Sequence, residues 1–142
     1  MNKKSVSPLI ASILLIALTV SIGAMIIGWG RQYINQRTSC LGMEVTILSA
    51  TYDSANSEIT SLSAINVGSV AIPANSKLYL VVEDRDGNRE TALLTTLGGD
   101  WGIGDKQDFT GLAIKTPSNN KPFKLWIVHG QCKEISDVYM IT

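Results

Sequence analysis

The chain has one histidine, His129, and two cysteines, Cys40 and Cys132, among its 142 residues. One imidazole and two thiols fall short of the four N, S or O ligands that a structural zinc site takes. No Asn-x-Ser/Thr sequon occurs, and neither does a G-x-S-x-G, a Walker loop or an H-E-x-x-H. The signatures of the common hydrolases, nucleotide-binding proteins and metalloproteases are therefore missing. Charge is also scarce, at 17 % of residues against about 25 % in an average soluble domain. Twelve acids balance twelve bases, which gives no electrostatic case for nucleic acid or for an anionic membrane surface. Nothing in this inventory argues for an enzyme, a cofactor or a bound metal.

The charge deficit is concentrated at one end. The run SVSPLIASILLIALTVSIGAMIIGWG, from Ser5 to Gly30, carries no charged residue. As a helix it would span about 39 Å, enough to cross a hydrocarbon core of about 30 Å with some tilt. A cleaved secretory signal fits poorly, because its apolar region is about 7–15 residues long and ends at a small-residue cleavage site. Here the apolar run continues through RQYINQR without a turn residue. Pro8 falls near the start, where a missing N–H costs little. The pattern predicts a helix from Val6 to Thr38, within a hydrophobic segment 5–38.

Small residues recur along this segment. Ala17, Ser21, Ala24 and Gly28 are spaced by four, three and four, so they share one helical face; Gly23 and Gly30 add further positions of close approach. Small residues let helix backbones come together where lipid removes the hydrophobic drive. Transmembrane helices are also richer in glycine in general, and spacing alone does not choose between the two.

Beyond Cys40 the period changes from helical to alternating. The runs MEVTILSATY, SEITSLSAINV, KLYLVVED, RETALLTTL, KQDFTGLAI, FKLWIVHG and ISDVYMIT are rich in β-branched residues and separated by turn signals. Seven short strands at this spacing predict a β-sandwich or barrel for residues 39–142, with an Ig-like sandwich as the expected head. The fold class is thus α+β, a long hydrophobic helix followed by an all-β domain. Asp86-Gly87 gives the clearest hairpin turn. Two other segments imitate functional motifs. GGDWGIGD lacks the third glycine and following helix of a phosphate loop. EDRDGNRE misses the spacing of a calcium loop, and Trp101 and Trp126 read as core side chains. Cys40 and Cys132 would form one disulfide if the head is exported, closing a loop worth about 4–5 kcal/mol in the chain-entropy model; two buried thiols are the alternative.

KKSVSPLIASILLIALTVSIGAMIIGWG resembles the amino terminus of archaeal type IV pilins and pilin-like proteins, with their short basic leader (a class III signal peptide), VSP start and long uncharged helix. INVGS at Ile65–Ser69, followed by AIP, is similar to a strand–turn signature of archaeal pilin and archaellin heads. The resemblance implies a leader, residues 1–4, cut between Lys4 and Ser5 by prepilin peptidase. It implies a precursor in the cytoplasmic membrane, then assembly by an ATPase and a membrane platform protein into a homopolymer at the cell surface with a role in adhesion. Bacterial pilins carry Glu at the fifth mature position, which here is Leu9, so their charge-pairing account of docking does not transfer. A minor pilin-like anchored binding protein and an archaellin-type subunit are the alternatives, and an anchored hydrolase is a third class.

Overall fold

The structure, a computed structural model, describes residues 6–38 and 40–142. The chain divides into two compact units, one ending at Ser39 and one beginning at Cys40.

The first unit is a single helix, α1 (Val6–Thr38). Its 28-residue stretch Ser7–Ile34 is long and apolar enough to cross a membrane. Pro8 sits in the first turn, where backbone N–H groups have no intrahelical acceptor. The hydroxyls in the apolar run find acceptors on the helix itself. Ser12 Oγ donates to the Leu9 carbonyl at 2.8 Å, Thr19 Oγ1 to Ile16 at 2.9 Å and Ser21 Oγ to Ala17 at 2.8 Å. These bonds remove the cost of carrying unpaired hydroxyls into an apolar medium.

The second unit has seven strands: β1 (Val45–Asp53), β2 (Glu58–Asn66), β3 (Lys77–Glu83), β4 (Arg89–Thr96), β5 (Lys106–Lys115), β6 (Phe123–His129) and β7 (Tyr139–Ile141). They form two antiparallel sheets, ordered β1-β2-β5 and β4-β3-β6-β7. The alternation of β3 and β6 explains their central place. Leu78, Leu80 and Val82, with Phe123, Leu125 and Ile127, point to one face and are buried against Val45, Ile47, Ile59, Leu62 and Ala64 of the other sheet. In β2 the phase slips, because register shifts between Ile59 and Ser61 and between Thr51 and Tyr52 let Ile59 and Leu62 both face inward. Trp101 is core, as its sequence context suggests. Trp126 is also buried, but in the opposite phase from Leu125 and Ile127, paired with Val81. The Arg89 guanidinium lies 5.3 Å over its ring and bonds Glu83 at 2.6 Å, while Lys124 reaches Glu83 at 3.0 Å.

Cys40 and Cys132 are disulfide-bonded, with Cα atoms 5.5 Å apart and a separation of 92 positions in sequence. The bridge ties the start of the head to the β6–β7 connection. Beside it, His129 is buried, and its Nδ1 accepts the backbone N–H groups of Gln131 and Cys132 at 3.2 and 3.3 Å. At the opposite end of the strands, Asp84 closes the β3–β4 hairpin. Its carboxylate accepts from Asp86 N, Asn88 N, Asn88 Nδ2 and Ser118 Oγ at 2.7–3.0 Å.

These two groups give the head an acid-labile stability. The side-chain bonds from Asn88 and Ser118 hold the Asp84 carboxyl down to about 2 from an ordinary 3.8, so its contribution is present above pH 3.8 and fades as pH falls through 2. Burial lowers the His129 pKa below an ordinary 6.5. The unfolded chain therefore takes up that proton first, and stability begins to fall as pH drops below 6.5. Asp53, Glu83 and Asp108 are also shifted down, by hydrogen bonds that their carboxylates accept. Thermal unfolding followed across pH 7 to pH 2 should show a falling midpoint in two stages. Asp84→Asn should be less stable at neutral pH and lose less than the parent in the lower stage.

Candidate functional site

Two features carry functional interest, the surface of α1 and the loops at the Cys40 end of the head. Along α1 the large apolar side chains from Leu9 to Ile34 are exposed, including Leu14, Ile16, Val20, Met25, Ile27 and Trp29. They surround the helix and form no single stripe. At about 100° per residue, Ala17, Ser21, Ala24 and Gly28 fall within about 60° of one another, while Gly23 and Gly30, one heptad apart, form a second face. A Cβ built on Gly23, Gly28 or Gly30 meets nothing within 4 Å. Neither a special backbone angle nor a neighbour in the same chain requires glycine there, although each costs a helix about 1 kcal/mol against alanine. Lys4 and Ser5, the expected cleavage pair, lie outside the described residues.

The loops at the Cys40 end are joined by Asn66, which is fully buried. Its Nδ2 donates to the carbonyls of Val70 at 3.1 Å and Trp101 at 3.0 Å, and its Oδ1 accepts from Gly68 N at 3.0 Å. Its own backbone accepts from Gly104 N at 2.7 Å and donates to the Asp105 carbonyl at 3.1 Å. The segment after it is stitched to the start of the head, with Val67 N and Gly68 N on the Glu44 carbonyl and Ser69 N on that of Gly42. A Cβ on Gly68 would fall 2.2 Å from the Gly42 carbonyl oxygen and 2.6 Å from Glu44 N, both backbone atoms. INVGS is thus a structural joint in which Asn66 ties three loops and Gly68 permits their close approach. Its signal was in the sequence: Leu62, Ala64 and Asn66 keep one alternation, which places a polar amide in core phase and demands partners for it.

The remaining chemical candidates are occupied structurally. His129 spends Nδ1 on backbone donors, and Cys132 is in the disulfide, so the two do not form a ligand pair. Asp84 is saturated by four donors. In GGDWGIGD, Trp101 pairs by its backbone with Ile72 and donates Nε1–H to the Asp105 carbonyl at 2.7 Å. No group of three His, Cys, Asp or Glu side chains able to hold a metal is found among the described residues. A shallow groove runs between the edge strands β4 and β5, lined by Leu94, Thr96, Asp100, Asp108, Phe109 and Leu112. Asp108 in it is engaged by the Ser63 hydroxyl and Lys106. No protein-family model matches the chain, and no curated protein matches its sequence.

Asn66→Ala should lower the unfolding free energy by about 2–4 kcal/mol, because it strands buried carbonyl and N–H groups. Gly68→Ala should destabilise as well, by forcing apart backbone that is in contact. Both are read from denaturant midpoints of the full chain in detergent. Midpoints equal to the parent's would show that the loops are not held by this joint.

Proposed function

We propose that the chain is the structural subunit of an extracellular archaeal type IV pilus, with α1 as the filament core and an Ig-like head as its outer wall. One observation carries the reading. The helix is apolar and exposed all round, its hydroxyls are satisfied internally, and its glycines open onto space that nothing in the chain fills. Such a helix is stable only when its whole circumference is covered, by lipid or by other helices. A filament built from many copies exchanges the first cover for the second.

In the precursor the helix spans the cytoplasmic membrane. Trp29 and Tyr33 with Arg31 mark one interface, as aromatic and basic residues do at membrane boundaries, and Lys3 and Lys4 mark the other. Prepilin peptidase then cuts between Lys4 and Ser5, and an assembly ATPase with a membrane platform protein adds the subunit to the homopolymer. The strand order supports the Ig-like reading: β1-β2-β5 faces a sheet centred on β3 and β6, and β4 is the edge strand beside β3. The function is adhesion from the cell surface, without catalysis.

Gly28→Leu and Gly23→Leu test the close-packing step separately from membrane insertion, since leucine only adds to the apolar character of the span. Cells producing either variant should shed few or no filaments on shearing. The chain should still be present in membranes, with its head folded and disulfide-bonded. Filaments in normal yield from both variants would contradict packing at these positions.

A further inference from the structure

The head is polarised from end to end. Three loops held together at Asn66 each expose aliphatic side chains: Leu41, at 67 % exposure, in the first; Val67 and Val70 in the second; Ile103, at 59 %, in the third. The three connections at the opposite end, residues 54–57, 84–88 and 116–122, expose no large hydrophobic residue. They are bound instead by polar side chains: Asp53 to Asn56, Ser57 to Asn119, Ser118 to Asp84 and Asn120 to Asp86. The Asn66 joint also fixes the aliphatic loops, so their side chains are not free to fold inward.

The aliphatic end is the one covalently joined to the apolar helix. Five residues separate Ile34 from Cys40, a tether of at most about 22 Å even fully extended. The opposite end lies a further strand length away, about 33 Å for the ten residues of β5. We propose that in the membrane-inserted chain these loops dock on the bilayer surface, with Leu41, Val67, Val70 and Ile103 entering the boundary between headgroups and acyl chains. The inference rests on the reading of α1 as a membrane span. The tether keeps the loops at high local concentration beside the bilayer, and shallow insertion of apolar side chains suits its interfacial zone. Glu44, Asp100 and Asp105 on the same loops are acidic, so the surface they fit is zwitterionic lipid and the contact is insensitive to salt. The precursor head would thereby be held against the membrane until assembly withdraws it.

The test uses the full chain in phosphatidylcholine vesicles with a benzoylphenylalanine photoprobe at one position at a time, read by mass after irradiation. Ile10 on the helix reports membrane insertion. Ile103 and Leu41 report docking, and Leu93, exposed on β4, is the control away from the loops. The proposal expects lipid adducts at Ile10, Ile103 and Leu41, each several-fold above Leu93 and unchanged by added salt. Lipid at Ile10 with only the Leu93 level at both loop positions would overturn docking and leave the span intact. Adducts from Ile103 to a second copy, without lipid, would overturn it in favour of a contact between heads. No lipid adduct at Ile10 would overturn the membrane span and the docking with it.

Discussion

A helix that is apolar on every face has no stable place in water, and this constraint orders the rest of the molecule. Folding of the single chain does not relieve it, since the large side chains from Leu9 to Ile34 stay exposed. At about 25 cal/mol per Å² of apolar surface, the unmet burial along such a helix is large against the 5–15 kcal/mol that stabilises a typical domain. Lipid and neighbouring helices are the two media that meet it. The internally bonded hydroxyls and unfilled glycine positions suit both, which is why the proposed function has the same surface serve first as an anchor and then as a filament core.

The head carries a core of its own. Its core lies between two sheets, and its stability is supplemented where the chain enters. The disulfide ties Cys40 to the β6–β7 connection, and Asn66 binds the β2–β3 and β4–β5 loops to one another and, through the residues that follow it, to the first residues of the head. In the proposed function the helix changes surroundings, and a head whose entry point is cross-linked keeps strain at the junction from propagating into the sheets. The opposite end is held by hydrogen bonds among Asp, Asn and Ser side chains, and these also give the fold its sensitivity to acid.

Much of this was legible in the sequence, for physical reasons that differ by element. The helix was plain because twenty-six uncharged residues in a row leave few alternatives, and its limits at Val6 and Thr38 match the expectation. All seven strands were visible because alternation and turn residues agree in each segment. The β3–β4 pairing was legible from the local Asp86-Gly87 turn, whereas the rest of the strand order was not, since it depends on contacts distant in sequence. Trp126 read as core from composition alone, whereas its phase places it on the other face of its sheet, under Arg89. Asn66 was missed as a joint because an asparagine near a turn ordinarily satisfies itself locally. The alternation that puts it in phase with Leu62 and Ala64 was the available clue. The small-residue faces of α1 were legible as spacing, while the partner they serve lies outside the chain.

The central claim, an exported subunit whose helix leaves the membrane for a filament, is tested most directly by the intact, non-reduced mass of the chain in material sheared from cells. The account predicts a chain lacking Met1–Lys4 and lighter by the two hydrogens lost in joining Cys40 to Cys132. Full-length chain confined to the membrane fraction, and absent from the sheared material, would contradict it and leave a membrane-anchored head.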